Sequence, residues 1–220
     1  MSDRRGAVIV TGGAGFIGSH ACKALAKAGW TPVALDNLST GHRDAVRWGP
    51  FEKVDVRDTA LVADAISRFE ATAVLHFAAS AYVGESVERP DAYYDNNVGG
   101  MLSLLKACVA AGVTRVVFSS SCATYGVPAS VPIDEATPQS PINPYGRTKL
   151  MGEQMLADVA RQHGISYALL RYFNAAGADP DGELAERHDP ETHLLPLALR
   201  AAHGGPALRV FGSDYETPDR

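Results

Sequence analysis

Short apolar runs alternate with amphipathic stretches along the chain, each bounded by glycine, proline or a polar turn. Ala7-Val8-Ile9-Val10 is the first apolar run, and Ser19 to Ala28 follows it with helical spacing. Thr31 to Leu35 predicts a second strand, with Gly29 ending the helix before it. A short helical piece near His42 to Arg47 and a brief strand at Phe51 to Val54 come next. Asp58 is placed to cap a helix that reaches Phe69, and Ala73 to Phe77 is a buried strand. The spacing then predicts one long helix from about Asp91 to Ala111, stopped by Gly112. Arg115 to Ser119 is a strand that delivers Ser119, Ser120 and Ser121 to its C-terminal end. This alternation predicts an α/β protein, a doubly wound parallel sheet with helices on both faces.

The periodicity breaks between Gly126 and Pro144, where Pro128, Pro132, Pro138, Pro141 and Pro144 stiffen a loop. Asn143-Pro144 reads as N-cap and first helical position of a helix from Tyr145 to about His163, stopped by Gly164. Ser166 to Arg171 is a further strand. Beyond Tyr172 the pattern predicts a loop, a helix near Leu194 to His203, and a strand at Ala207 to Phe211.

Composition narrows the function classes. Of 220 residues, 46% are hydrophobic and 20% charged, as in a soluble globular protein with room for a core. A net charge of −5 without a compensating basic run disfavours nucleic acid or an anionic membrane as partner. Met1-Ser2-Asp3-Arg4-Arg5 has no apolar signal core, and no apolar stretch is long enough to span a bilayer. Cys22, Cys108 and Cys122 read as free thiols in a reducing cytoplasm. The histidines show no clustered ligand spacing, so no metal site is expected.

The chemistry concentrates in a few segments. Val10-Thr11-Gly12-Gly13-Ala14-Gly15-Phe16-Ile17-Gly18 joins strand to helix through a glycine turn. Gly12 permits the turn, Gly15 lets backbone approach a phosphate, and Gly18 lets helix pack on strand. The helix N-terminus presents unpaired N–H groups and partial positive charge to the anion. Asp36, ending the next strand, is placed to accept hydrogen bonds from both ribose hydroxyls of adenosine, favouring NAD over NADP. Its plainer role is an Asx-turn; in either case Asn37, Leu38, Ser39, Thr40 and Gly41 wrap the ribose.

Tyr145 and Lys149 project from one helix face, where the ammonium would lower the phenol's pKa and make it a general base. An ordinary exposed face has the same spacing; the glycine loop and the serine-bearing strand end favour catalysis. Ser121 is placed to hydrogen-bond a substrate hydroxyl or the tyrosine oxygen, and Ser120 reads as a capping serine. His76, closing a buried strand, reads as structural, and Tyr125 is set aside because no lysine follows it four residues on.

Taken in order, the motifs resemble the extended short-chain dehydrogenase/reductase family, and within it the UDP-glucose 4-epimerases. The resemblance runs from Gly12 to His20, then Asp36-Asn37-Leu38-Ser39, His76-Phe77-Ala78-Ala79 and Val83-Gly84-Glu85-Ser86. It continues through Tyr94 to Asn97, Ser119 to Gly126, Pro144 to Lys149, Arg171 to Asn174, and Phe211 to Tyr215. It implies a Rossmann-like NAD-binding domain over 1–173 and the start of a sugar-nucleotide lobe over 174–220. It also implies a tightly held NAD that takes a hydride from hexose C4 and returns it to the other face. Phe16, Ile17, Asp36, Asn37, Asp55, Val56, Phe77, Ala78, Ala79, Asn96, Lys149 and Phe173 would touch NAD. Ser121, Tyr145, Asn174, His193, Val210 and Phe211 would face a UDP-sugar. Family members pair as homodimers through two long helices, here about 91–111 and 145–163.

Two departures accompany the resemblance. Ala81 stands where many relatives carry a lysine, and relatives continue past a Tyr215-like tyrosine where this sequence stops at Arg220. The expectation is a C-terminally truncated lobe without its pyrophosphate arginine, in a chain that binds NAD but epimerises poorly or not at all. A non-catalytic NAD-binding module is one alternative, and a UDP-pentose (arabinose/xylose) 4-epimerase is another. A 4,6-dehydratase is disfavoured, because Cys122-Ala123 stands where that chemistry uses a carboxylate pair.

Overall fold

A computed structural model of the chain describes residues 5–212. The N-terminal Met1 to Arg4, the Ser213 to Tyr215 part of the last family-like segment, and the ending at Arg220 lie outside them. The chain divides into two compact units, 1–175 and 176–220.

The first unit is built on six parallel strands: β1 (Ala7–Thr11), β2 (Thr31–Asp36), β3 (Phe51–Lys53), β4 (Ala73–His76), β5 (Arg115–Ser121) and β6 (Ser166–Tyr172). Their order across the sheet is β3-β2-β1-β4-β5-β6. The chain therefore winds one way from β1 and the other way from β4, and this reversal opens a crevice at the C-terminal ends of those two strands.

Strand periodicity explains the layers. Val8 and Val10 of β1 pack with Cys22 of α1 (Phe16–Lys27), Ala34 and Leu25 on one face. Ile9 points the other way, into a larger core with Val33, Leu35, Val74 and Phe118. That core is closed by α2 (Thr59–Arg68), α5 (Gly100–Ala110) and α6 (Pro144–His163), through Val62, Ile66, Leu104, Leu105 and Leu156. Helices thus cover both faces, and the doubly wound α/β arrangement expected from the sequence is present.

Capping follows the residues that announce it. Asp58 accepts a hydrogen bond from Leu61 N, Asn143 accepts one from Gly146 N, and Gly164 ends α6 in the left-handed region.

Several expectations are corrected. The long helix near 91–111 is instead α4 (Pro90–Tyr93), a π-helical turn (Tyr94–Gly99) and α5 in continuous succession, preceded by an unexpected α3 (Val83–Glu88). Side-chain bonds from Asn97 to the loop after β4 and to α6 accompany the wider turn. β5 extends through Ser121, pairing Ser120 with Arg171 and Ser121 with Tyr172.

In the second unit, α7 (Leu194–Ala202) forms, but Ala207 to Phe211 is not a strand. An extended apolar segment needs a pairing partner for its backbone, and none is found among the described residues. No helix among the described residues is long and apolar enough to cross a membrane.

Candidate active site

The glycine loop leaves β1 at the reversal point. Gly15 N donates to Gly12 O at 3.0 Å, closing the turn. A Cβ on Gly12 would lie 2.6 Å from Ala78 N, and one on Gly18 only 2.1 Å from Gly12 O. At Gly15 the nearest atom would be 3.3 Å away. Gly12 and Gly18 therefore serve close backbone approach within the protein, whereas Gly15 is tight by only a few tenths of an ångström. Thr11 Oγ1 and His76 Nδ1, 2.7 Å apart, tie the ends of β1 and β4 across the crevice.

Asp36 is buried at the end of β2. Its Oδ2 accepts from Ala14 N at 3.0 Å, linking it to the glycine loop, and Oδ1 accepts from Leu38 N at 2.8 Å. The second bond is the Asx-turn, and it holds Leu38 at a φ of 62°. The turn and a ribose-binding role coexist, because a carboxylate oxygen accepts more than one hydrogen bond. Asn37 Nδ2 donates to Asp55 Oδ2 at 3.0 Å, while Arg57 beside Asp55 holds that carboxyl well below the usual carboxylate range. Ser39 N donates to Asn37 Oδ1, and a Cβ on Gly41 would lie 2.9 Å from both Ala14 Cβ and Asp36 Oδ1. Thr40 is exposed in the same loop.

The remaining candidates of the first unit fall on the same sheet edge. Phe16 and Ile17 open α1, Val56 is buried after β3, and Phe77, Ala78 and Ala79 follow β4. Asn96 lies on the π-helical turn and donates to Ser80 Oγ at 3.2 Å. Phe173 and Asn174 follow β6 and are exposed. His193, Val210 and Phe211 belong to the second unit; Val210 and Phe211 are exposed there.

Across β5, α6 presents Tyr145 and Lys149. Lys149 is buried, and its Nζ donates to Ser119 O at 2.8 Å while lying 5.0 Å from the Phe118 ring centre. Burial pulls its pKa down to about 8, with Glu153 working in the opposite sense. The ammonium is 5.7 Å from the Tyr145 ring centre. Burial raises the Tyr145 phenol above its ordinary value, and the Ser121 hydroxyl beside it works against that rise. The expected lowering of the phenol by Lys149 is therefore corrected for the chain alone: desolvation of the phenolate outweighs the pull on it.

Ser121 stands beside the Tyr145 phenol as expected, and both serines also have partners within the fold. Ser121 Oγ accepts from Ala123 N at 3.1 Å and so caps the 3₁₀ turn Cys122–Thr124, while Ser120 Oγ donates to Glu153 Oε1. Glu153 is the centre of a buried network absent from the sequence reading. It accepts from Arg171 Nη2 at 2.7 Å and from Gln139 Nε2 at 3.0 Å, and Arg171 Nη1 donates to Tyr125 OH at 2.8 Å. The signal for Glu153 was available, since Tyr145, Lys149 and Glu153 follow one another at i, i+4 and i+8 on one helix face. Asn97 was also missed. It accepts from Ser80 N at 2.8 Å and donates to Ser80 O and Thr148 Oγ1, each at 3.0 Å, anchoring the loop after β4 to α6. His76 is buried, stacked on Phe118 and pushed down to about 3 by desolvation, so it remains neutral.

In the second unit Glu186, His188, Glu191 and His193 converge, with ligand-capable atoms all within 4.8 Å of one another. This departs from the expectation that the histidines form no ligand cluster.

Known proteins are similar to this chain over nearly its whole length. The chain is 55% identical over 213 residues to the UDP-glucose 4-epimerase of Rhizobium leguminosarum bv. trifolii, covering 96% of this chain and 65% of that relative. It thus spans about two thirds of that relative's length. The crystal structure of UDP-glucose 4-epimerase from Brucella ovis in complex with NAD matches with a TM-score of 0.94 and 60% identity, over 97% of this chain and 66% of that one. The UDP-glucose 4-epimerase from Bifidobacterium longum in complex with NAD⁺ and UDP matches with a TM-score of 0.91 and 38% identity, over 97% and 67%. A family model matches residues 8–219, so the glycine crevice and the Tyr145 helix stand in their family context: the chain belongs to the NAD dependent epimerase/dehydratase family.

Proposed function

We propose that this chain supplies the cofactor-holding and proton-transfer part of an enzyme that inverts C4 of UDP-glucose and UDP-galactose through a 4-keto intermediate. One observation carries the reading: Ser121, Tyr145 and Lys149 share the C-terminal sheet edge with the glycine crevice and Asp36. NAD fits the residues present. Gly12, Gly15 and Gly18 shape a loop whose amides suit a pyrophosphate, and Asp36 keeps acceptor capacity for ribose hydroxyls. When bound, NAD supplies reversible hydride acceptance at the sugar carbon.

The chain's own residues do the rest. Tyr145 takes the proton of the 4-hydroxyl and returns it, and Ser121 orients that hydroxyl beside the phenol. Lys149 is cationic below about pH 8, and its charge favours the phenolate that the step needs. Phe173 and Asn174 bound the sugar side after β6, while His193, Val210 and Phe211 are carried by the second unit. The enzyme works in the cytoplasm as a homodimer formed by the α4–α5 and α6 helices, on which Leu102 and Met151 are exposed apolar side chains.

The test is C4 epimerisation of UDP-galactose by the purified protein and by its Tyr145→Phe variant, with bound NAD measured in parallel. The variant is expected to lose about 10²–10⁴-fold in turnover while keeping NAD. Equal turnover of the two would overturn the assignment of Tyr145. Activity on UDP-xylose or UDP-arabinose alone would move the substrate to pentoses, and NAD binding without any turnover would leave a binding module.

A further inference from the structure

The second unit holds a side-chain cluster that the epimerase reading does not use. Within eight residues the sequence runs Glu186, His188, Glu191, His193, ending at the cap of α7. His188 Nδ1 and His193 Nδ1 each lie 3.1 Å from the same atom, Glu186 Oε1. Glu191 closes the group, with Oε1 2.9 Å from His193 Nδ1 and Oε2 3.8 Å from His188 Nδ1. The two imidazoles sit 4.6 Å apart at 43°, too tilted for face-to-face stacking.

Burial makes the arrangement unusual. The Glu186 and Glu191 side chains are 6% and 2% exposed, yet Glu186 Oε1 accepts no hydrogen bond despite two imidazole nitrogens at contact distance. Buried carboxylates are either hydrogen-bonded, ion-paired or coordinated to a metal. The two Glu186 Oε1 contacts have hydrogen-bond length without hydrogen-bond direction, as ligands around one ion do, while His193 Nδ1 and Glu191 Oε1 are hydrogen-bonded at 2.9 Å. The spacing agrees. Zinc ligands at about 2.0–2.2 Å in a tetrahedron lie roughly 3.3–3.6 Å from one another; both imidazole Nδ1 atoms are 3.1 Å from Glu186 Oε1, close to that edge, and Glu191 offers a different oxygen to each imidazole. Glu191 is already oriented by a second bond, accepting from His193 N at 2.9 Å.

We propose that Glu186, His188, Glu191 and His193 form a divalent transition-metal site, with zinc as the ion the two-nitrogen, two-oxygen set fits best. The ion would clip the segment 186–193 onto the start of α7. It would also commit His193 Nδ1 to the metal, leaving only its other ring nitrogen for the sugar-facing role assigned from the sequence.

The experiment uses the tag-free protein, stripped with chelator and titrated with zinc by calorimetry, then loaded with cobalt(II) for its visible spectrum. Expected are one zinc per chain, strong tetrahedral cobalt bands, and a melting temperature that rises with zinc. Glu191→Gln alone, and His188→Ala with Glu191→Gln, should weaken zinc binding at least tenfold. Asp181→Asn with Glu183→Gln, which alters the neighbouring acidic group, should leave it unchanged. Substoichiometric zinc, weak octahedral cobalt bands, or equal affinity in Glu191→Gln would each overturn the site. Because the readout is metal binding, failure of the epimerase reading would not touch it.

Discussion

The two sides of the crevice are held by opposite means. On the β1 side, atoms are placed by the absence of side chains: Gly12 and Gly18 let backbone meet backbone, and a Cβ on Gly18 would stand 2.1 Å from Gly12 O. On the β5 side, they are placed by a buried web in which Glu153 binds Ser120, Gln139 and Arg171 beneath Lys149. The first device depends on backbone packing that tolerates almost no added volume. The second depends on keeping the buried charges of Glu153 and Arg171 partnered. A cofactor cradle and a proton-transfer helix thus share one edge while failing for different reasons.

The comparison breaks hardest at Gly18. Gly18→Val should cost more than about 4 kcal/mol and abolish NAD binding, read by denaturation and by cofactor titration. On the other side, Glu153→Ala leaves Arg171 without its carboxylate and should cost about 3 kcal/mol or more in urea denaturation. Glu153→Gln, retaining the shape, separates loss of charge from loss of packing.

A third effect sharpens the contrast through pH. The Lys149 pKa falls from 10.5 in the open chain to about 8 when folded. Between those values the unfolded chain binds more protons, so this group makes stability rise with pH there. Lys149→Met should therefore gain on the parent below pH 8, by on the order of 3 kcal/mol, and lose that advantage towards pH 10.5. Paired denaturation curves at pH 7.5 and 10 would show it; a constant difference would refute it. The smallest effect belongs to Gly15→Ala, about 1 kcal/mol in stability, because its Cβ would stand 3.3 Å from Gly12 O, a tight contact that a shift of a few tenths of an ångström relieves. A cost at Gly15 equal to that at Gly18 would erase the distinction.

The asymmetry also explains what could be read before the structure. Backbone constraints write themselves as glycines and caps, so the loop at Gly12 to Gly18, Asp58 and Asn143 stood out directly. Burial does not. Lys149 was expected to lower the Tyr145 phenol, but burial of Tyr145 itself raises that phenol instead. Strand pairing runs two residues past the expected end at Ser119, and within that added stretch Ser120 meets Glu153 and Ser121 caps the following turn. Ala207 to Phe211 has the apolar composition of a strand and lacks a strand to pair with among the described residues. The Glu186 to His193 cluster was missed because alternate carboxylates and imidazoles resemble ordinary polar loop residues until their atoms converge.

The π-helical turn at Tyr94–Gly99 has a last consequence, for how this stretch tolerates length change. An α-helix rotates about 100° per residue, so one residue of extra winding re-aims everything after it. Asn97 meets Thr148 and Leu104 meets the core only with that added residue counted in. Deleting a single position within 94–99 would give a more regular helix pointing its asparagines and its leucines at the wrong neighbours. The irregular turn acts as a phase adjuster between the part of the helix that serves the crevice and the part that serves the core.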